Sequence, residues 1–152
     1  VLRSAMYAQG IQVWCAPTVD DREIWQASMR HIAYEGRCFV LSACQYLTRA
    51  DCPDDYECVQ GNDPQTVLIR GGSVIVSPMG EVLAGPVYGR EDLLCADLDL
   101  TECARGKYDL DVVGHYARPD VFQVRVNTRP QPAVEFSGGD MRALDVTSDQ
   151  GV

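Results

Sequence analysis

Cysteine and histidine are the side chains of this sequence best suited to nucleophilic or acid–base chemistry, and it contains seven and two of them, respectively. A cysteine acts as a nucleophile where a nearby base or positive charge favours its thiolate. Cys15 lies between Trp14 and Ala16, with no such group beside it. We therefore interpret Cys15 as a core residue, and likewise Cys38 and Cys95, which lie in apolar runs.

Cys52 and Cys58 flank an acidic loop, and two chemical roles are open to them. They suit a local disulfide or, together with Cys44, a weak metal clip. No CxxC pair and no histidine at ligand spacing supports a metal site, so we predict none. Because an odd number of cysteines leaves at least one unpaired, we expect a reduced, cytoplasmic protein.

Glu35 and Arg37 are predicted to be structural polar residues at the end of a helix. A carboxylate and a guanidinium this close in sequence most often form hydrogen bonds or ion pairs, although a charge role near a catalytic site is the alternative. His31, on the same helix, is expected to be partly buried or hydrogen-bonded rather than to act as a general base.

His115, Tyr116 and Arg118 lie on an irregular segment that also carries Asp111 and Asp120. This mixture favours a buried polar network that orders the segment. The alternative is a contact with a ligand or a second subunit. Gly71-Gly72 lacks the residues of a phosphate loop, and we assign it to tight turning at the start of a strand.

The charge balance excludes several classes of partner. The 152 residues contain 13 Lys and Arg against 22 Asp and Glu, which gives a net charge of −9. Such an acidic chain is a poor ligand for nucleic acid or an anionic membrane surface. No apolar run approaches the roughly 20 residues that span a bilayer. Apolar residues make up 46 % of the chain, which is typical of a globular core.

The first third of the chain has the alternation of an α/β protein. We predict a helix end at 2–9 closed by Gly10, a strand at 11–16, and a helix at 22–35 capped by Asp20 or Asp21 and ended by Gly36. A strand follows at 38–43. The helix presents one apolar face, formed by Trp25, Met29, Ile32 and Ala33.

The remainder is dominated by strands. We predict a long polar loop at 44–68, a hairpin at 73–85, a strand at 93–98, a short helix to about residue 107 with Thr101 as its N-cap, and an edge strand at 122–126. Residues 128–152 are predicted to be a flexible tail. Several strands are apolar on both faces while one long helix is available to cover them, so we expect further cover from upstream of Val1.

Three segments resemble the nitrilase branch of the carbon-nitrogen hydrolase superfamily. They are APTVDDREIWQASMRHIAYEGRCFVLSA (16–43), GGSVIVSPMGEVLAGP (71–86), and DLDL (97–100) followed by ARGKYDLDVVGHYARPDVF (104–122). The last resembles true nitrilases and cyanide hydratases in particular. The resemblance covers residues 1–127, which we take as part of one such domain.

The resemblance implies the C-terminal half of an α-β-β-α sandwich whose catalytic Glu, Lys and Cys lie upstream of Val1. A thiolate would attack the nitrile carbon to give a thioimidate, with the Glu as general base and acid and the Lys supporting the intermediate. By this likeness, Glu35 is architectural and no cofactor is needed. The residues expected to wall the pocket are Pro17, Thr18, Trp25, Ser42 and Gln45.

The resemblance also implies a small-molecule nitrile as substrate and homo-oligomers, in which dimers extend into spirals. Contact surfaces are expected at 49–65 and around His115. The expected products are a carboxylic acid and ammonia, and the alternative is a cyanide or β-cyanoalanine hydratase that yields an amide. A third possibility is a non-catalytic chain that acts only in assembly.

Overall fold

Five strands form one mixed sheet in the computed structural model, which describes residues 2–134. The order of elements is α1 (Leu2–Tyr7), β1 (Val13–Cys15), α2 (Glu23–Gly36), β2 (Phe39–Ser42), β3 (Tyr46–Thr48), β4 (Val67–Val76), β5 (Val82–Tyr88) and α3 (Thr101–Asp109), with a 3₁₀ turn at Arg49–Asp51. The predicted α/β class is confirmed.

Strand β4 organises the sheet. β1 pairs with β2 in parallel, and β2 pairs with β4 in the antiparallel sense. β3 and β5 are also antiparallel to β4, so that β4 contacts three strands. The residue pairs Ser42–Val74 and Tyr46–Arg70 have the same antiparallel register. β2 and β3 therefore pair with the same edge of β4, with an interruption at 43–45.

Helix α2 covers one face of this sheet. Met29 and Ala33 are buried against Val40, Val74 and Val76. Trp25 and Ile32 pack against the same cluster and are partly buried. The predicted apolar face of the helix is therefore confirmed, because positions separated by three, four and seven residues share one side of a helix.

The end of α2 differs from its prediction. Gly36 remains within the helix, and Arg37 adopts the left-handed conformation that terminates it, with φ 48° and ψ 49°. Gly36 has a different role, since a Cβ there would lie 2.7 and 2.9 Å from Cδ1 and Cζ of Tyr7. The missing side chain lets the Tyr7 ring of α1 pack directly on the α2 backbone.

Two predicted strands are not formed. Residues 93–98 and 122–126 have no regular structure, and Leu93 and Phe122 are 84 % and 78 % exposed. Apolar composition indicates strand propensity, but a strand also needs a neighbouring strand that pairs with its backbone groups, and neither segment pairs with a strand of the described sheet. Conversely, the predicted loop at 44–68 contains β3 and the 3₁₀ turn.

The helix caps and the glycine pair also differ from their predictions. The first residue outside α2 is Arg22, and neither Asp20 nor Asp21 caps the helix through its side chain. At α3, Asp99 rather than Thr101 accepts the hydrogen bond, from the Thr101 N–H at 3.0 Å. Gly71 and Gly72 lie inside β4 with φ of 92° and 122°, where the strand is irregularly paired with β5.

No helix among residues 2–134 is long and apolar enough to cross a membrane. Of the predicted tail, residues 128–134 have no helix or strand, and residues 135–152 lie outside the described part of the chain. The boundary between domain and tail stays a prediction.

Candidate functional site

A cavity of about 360 Å³ opens where the parallel strands β1 and β2 end. In α/β sheets this carboxyl edge is the usual position of a ligand site. Three of the five residues predicted to wall a pocket line the cavity. Its lining consists of Pro17, Thr18, Ala43, Cys44, Gln45, Tyr46, Ser73, Val87, Arg90, Glu91, Asp92 and Leu94.

Backbone hydrogen bonds hold the Pro17–Thr18 side of this cavity. The Ala16 N–H donates to the Leu41 carbonyl at 2.8 Å, and the Thr18 N–H donates to the Ala43 carbonyl at 2.9 Å. These bonds extend the pairing of β1 and β2 past the ends of both strands. The Thr18 hydroxyl accepts the Asp20 N–H at 2.9 Å, which fixes the following turn.

Trp25 and Ser42, the other two predicted pocket residues, do not line the cavity. The indole Nε1–H of Trp25 donates to Ser42 Oγ at 2.9 Å, and the Ser42 hydroxyl donates to the Ala16 carbonyl at 2.9 Å. Helix α2 is thereby connected to the residue that precedes Pro17. We refer to Trp25, Ser42 and Ala16 as the relay. Its two hydrogen bonds hold the backbone just before the cavity residue Pro17 against α2.

Cys44 and Ser73 also line the cavity, and the sequence reasoning assigned neither of them to it. Ser73 Oγ accepts the Cys44 N–H and donates to the Cys44 carbonyl, each at 3.0 Å. Burial raises the pKa of the Cys44 thiol, and the carboxylates of Asp21 and Asp20 raise it further. Cys44 therefore lines the cavity as a neutral thiol and is a weak nucleophile.

Three charged residues, Arg90, Glu91 and Asp92, also line the cavity. The Arg90 guanidinium donates to Asp92 from Nη2 at 2.9 Å and from Nε at 3.2 Å. These bonds and the Leu93 N–H hold the pKa of Asp92 below its usual range. Arg90, Glu91 and Asp92 carried no local signal in the sequence, because they reach the cavity only through the β4–β5 hairpin.

Glu35 and Arg37 each form contacts with other elements, but they do not pair with each other. Glu35 Oε2 accepts Arg3 Nε–H at 2.7 Å and the Tyr7 hydroxyl at 2.9 Å, which joins α1 to α2. His31 approaches Glu35 Oε1 at 3.8 Å but is 64 % exposed, so its expected burial is wrong.

Arg37 is buried where α2, α3 and the β4–β5 turn meet. Its guanidinium donates to Asp109 Oδ2 at 2.8 Å and to Met79 Sδ at 3.0 Å, and it lies 4.0 Å from the centre of the Tyr34 ring. Gly106 of α3 packs against its methylene groups. Both Glu35 and Arg37 thus connect helices at a distance from the cavity.

The buried polar network expected around His115 is wrong, because His115, Tyr116 and Arg118 are exposed. The rings of His115 and Tyr116 lie 4.8 Å apart in a tilted arrangement, and Arg118 Nε donates to Asp120 at 2.8 Å. Asp111 orders the segment by accepting the N–H groups of Val113 and Gly114 at 3.1 and 3.0 Å. A role for this surface in assembly stays a prediction.

All seven cysteines are free thiols. Cys38 is buried as expected, whereas Cys15 and Cys95 are exposed, which corrects their assignment to the core. Cys15 points away from α2, because only alternate residues of β1 face the helix. No group of three or more His, Cys, Asp or Glu side chains in residues 2–134 is arranged to hold a metal ion.

Comparison with known proteins identifies the family. Residues 1–108 match the carbon-nitrogen hydrolase family model. The chain is 60 % identical over 134 residues to a nitrilase of Bradyrhizobium diazoefficiens, covering 88 % of this chain and 42 % of that protein. It is 53 % identical over 152 residues to a bifunctional nitrilase/nitrile hydratase of Lupinus angustifolius, covering 97 % of this chain and 44 % of that one. The chain therefore belongs to the carbon-nitrogen hydrolase family, in its nitrilase branch.

A solved structure supports the fold. The NitFhit protein of C. elegans superimposes with a TM-score of 0.62 at 23 % identity, over 87 % of this chain and 29 % of that one. The chain spans less than half the length of the curated relatives named above. The described elements are accordingly part of the nitrilase-type sandwich, as the resemblance implied.

Proposed function

We propose that this chain supplies a wall of the substrate pocket in a nitrilase-type enzyme that converts organic nitriles to a carboxylic acid and ammonia. The observation that carries the proposal is the cavity at the carboxyl edge of β1 and β2, lined by Pro17, Thr18 and Gln45. A nitrilase that is 60 % identical to the chain over 134 residues supports it.

The described cavity residues suit binding better than covalent catalysis. Cys44 is a neutral thiol, and the carboxylate of Asp92 is engaged by Arg90. The resemblance assigns the reacting Glu, Lys and Cys to residues outside this sequence. The thiolate would add to the nitrile carbon, water would displace ammonia from the resulting thioimidate to leave a thioester, and a second water would release the acid.

The experiment is to incubate the full-length protein with aliphatic and aryl nitriles and to measure ammonia, acid and amide. Gln45→Leu should change KM or the ratio of acid to amide, because it removes a polar group from the cavity wall. Gln65→Leu is the matched control, since Gln65 is exposed and its side chain lies outside the cavity. Failure to release ammonia or amide from any nitrile, or identical constants for Gln45→Leu and the parent, would contradict the proposal.

An amide product is the second candidate, because a bifunctional nitrilase/nitrile hydratase is 53 % identical to the chain. In that route the tetrahedral adduct expels the cysteine thiolate and retains its nitrogen, so only one water is consumed. Amide as the main product in the same assay would favour it over hydrolysis to the acid.

Assembly into homo-oligomers is part of the same proposal. Tyr116, Arg118 and Phe122 line an apolar cavity of about 610 Å³ beside α1, and Tyr116 and Phe122 are exposed. Phe122→Asp should lower the mass measured by light scattering. An unchanged mass would remove this surface from the proposal, and a stable assembly without turnover would favour the purely structural role.

A cytoplasmic location is also proposed, since seven free thiols suit a reducing compartment.

A further inference from the structure

Two thiols share a second cavity on the opposite side of β3 from the proposed pocket wall. Cys52 and Cys58 both line this cavity of about 430 Å³, together with Leu47, Tyr56 and Leu68. We refer to residues 52–58 as the thiol loop. Cys58 is buried and Cys52 is half-buried.

The backbone already holds both ends of the thiol loop in place. The Cys52 N–H donates to the Arg49 carbonyl at 3.1 Å, and the Cys58 N–H donates to Asn62 Oδ1 at 2.9 Å. The turn between them is closed by the Tyr56 N–H, which donates to the Pro53 carbonyl at 3.1 Å.

A buried guanidinium lies beneath the loop. Arg49 donates to the carbonyls of Cys52 and Asp54 at 3.3 and 3.1 Å, while its Nε is buried without a hydrogen-bond partner. Burial raises the pKa of the Cys58 thiol, and the neighbouring Cys52 thiol raises it further. Arg49 opposes this effect.

We propose that Cys52 and Cys58 form a redox modification site, in which a low-molecular-weight disulfide converts the two thiols to an intrachain disulfide. The two thiols line one cavity, their backbone positions are fixed, and the segment between them is exposed. This proposal is independent of the reaction proposed for the family.

The chemistry balances in two exchange steps. The more accessible Cys52 thiolate attacks oxidised glutathione, which forms a mixed disulfide and releases one glutathione. The Cys58 thiolate then attacks the Cys52 sulfur and releases the second glutathione. Two protein thiols are oxidised and one glutathione disulfide is reduced to two thiols. Since Cys58 reacts as its thiolate, its raised pKa makes the second step faster as the pH rises.

The test is to treat the full-length native protein with oxidised glutathione, alkylate the remaining thiols with N-ethylmaleimide and digest with trypsin. Cleavage after Arg49 and Arg70 releases one peptide, 50–70, in which Cys52 and Cys58 are the cysteines. The expected peptide has lost two hydrogens and carries no maleimide. We expect it to form about tenfold faster in the folded protein than in urea, because the fold holds the thiols together.

Two serine variants provide the controls. In Cys58→Ser the peptide should retain one glutathione on Cys52, since the resolving thiol is missing. In Cys95→Ser, which removes an exposed thiol elsewhere, the internal disulfide should form as in the parent. Two maleimides or two glutathiones on the parent peptide, a disulfide to another cysteine, or a rate in urea equal to that of the folded protein would overturn the proposal.

Discussion

The indole nitrogen of Trp25 and the hydroxyl of Ser42 are joined by a hydrogen bond of 2.9 Å that connects α2 to the end of β2. The same hydroxyl donates to Ala16, directly before the cavity residue Pro17. Because neither side chain of the pair lines the cavity, their effect on binding should pass through the backbone of β1.

Removing the Ser42 hydroxyl tests this relay. Ser42→Ala leaves the Trp25 N–H and the Ala16 carbonyl without their partner, so we expect it to cost about 1–2 kcal/mol in the free energy of unfolding. If about 1 kcal/mol is also lost from substrate binding, KM rises about fivefold. Chemical denaturation and steady-state kinetics of the full-length protein measure the two effects.

Ser28→Ala is the matched control for the relay, because the Ser28 hydroxyl donates only to Ile24 within the same helix. It should leave KM unchanged. In a double-mutant cycle, Trp25→Phe and Ser42→Ala should be coupled by about 1 kcal/mol. Additive losses would mean that the indole and the hydroxyl stabilise the protein independently.

Gly36→Ala tests the contact between α1 and α2. At an ordinary helix position this substitution stabilises a protein by about 1 kcal/mol. Here the new Cβ collides with the Tyr7 ring, so we expect a loss of about 2 kcal/mol instead. Thermal unfolding measures the sign, and the substitution should cost less in a Tyr7→Leu background, where the ring is absent. A stabilised Gly36→Ala protein would refute the close packing.

The Arg37–Asp109 pair tests how burial affects an ion pair. The Arg37 side chain is 1 % exposed and that of Asp109 is 67 % exposed. Asp109→Ala leaves a buried guanidinium without its carboxylate, and we expect a loss of about 3 kcal/mol. Asp120→Ala removes the exposed Arg118–Asp120 pair and should cost far less in the free energy of unfolding, because water screens the charges. Equal losses in urea denaturation would contradict the structural role of Arg37.

Glu35 should make stability depend on pH in the acidic range. Partial burial acts to raise its pKa, but the hydrogen bonds from Arg3 and Tyr7 outweigh burial and place the pKa below the ordinary value. A group with a lowered pKa in the folded state stabilises it above the unfolded pKa, which is about 4.3 for glutamate. That contribution is lost as the pH falls through the lower, folded value.

Glu35→Gln isolates this contribution from those of other carboxylates with lowered pKa values, such as Asp20 and Asp99. The difference in unfolding free energy between parent and variant should be constant above about pH 5.5 and shrink below about pH 4. Denaturation curves collected across this range measure it. A difference that is the same at all pH values would show that the Glu35 charge contributes nothing.

Local patterns predicted much of the fold. The apolar face of α2 and the β4–β5 hairpin depend on side-chain period and turn residues, which the sequence displays directly. The predicted strands at 93–98 and 122–126 failed because a strand also requires a neighbour, which local composition does not specify. The wrong assignment of Cys15 to the core has the same cause. Its neighbours in sequence are apolar, but α2 does not cover the side of β1 on which Cys15 lies.

The candidate site was predicted only through the family resemblance. Pro17 and Gln45, which the resemblance placed in the pocket wall, line the cavity, and each follows a strand. Ser73 and Arg90 were missed because they enter through antiparallel pairing 29 or more residues from Cys44. Trp25 and Ser42 were placed near the cavity, but their position behind its wall depends on a hydrogen bond that spacing does not reveal.

The three-way pairing of β4 has a consequence for the order in which the chain folds during synthesis. β1 and β2 are complete once residue 42 has left the ribosome, but the partner that closes the free edge of β2 ends at Val76. Until then the nascent chain presents an open apolar strand edge, which is a template for pairing with other chains. We expect a translational pause between residues 42 and 76 to increase the demand for chaperones.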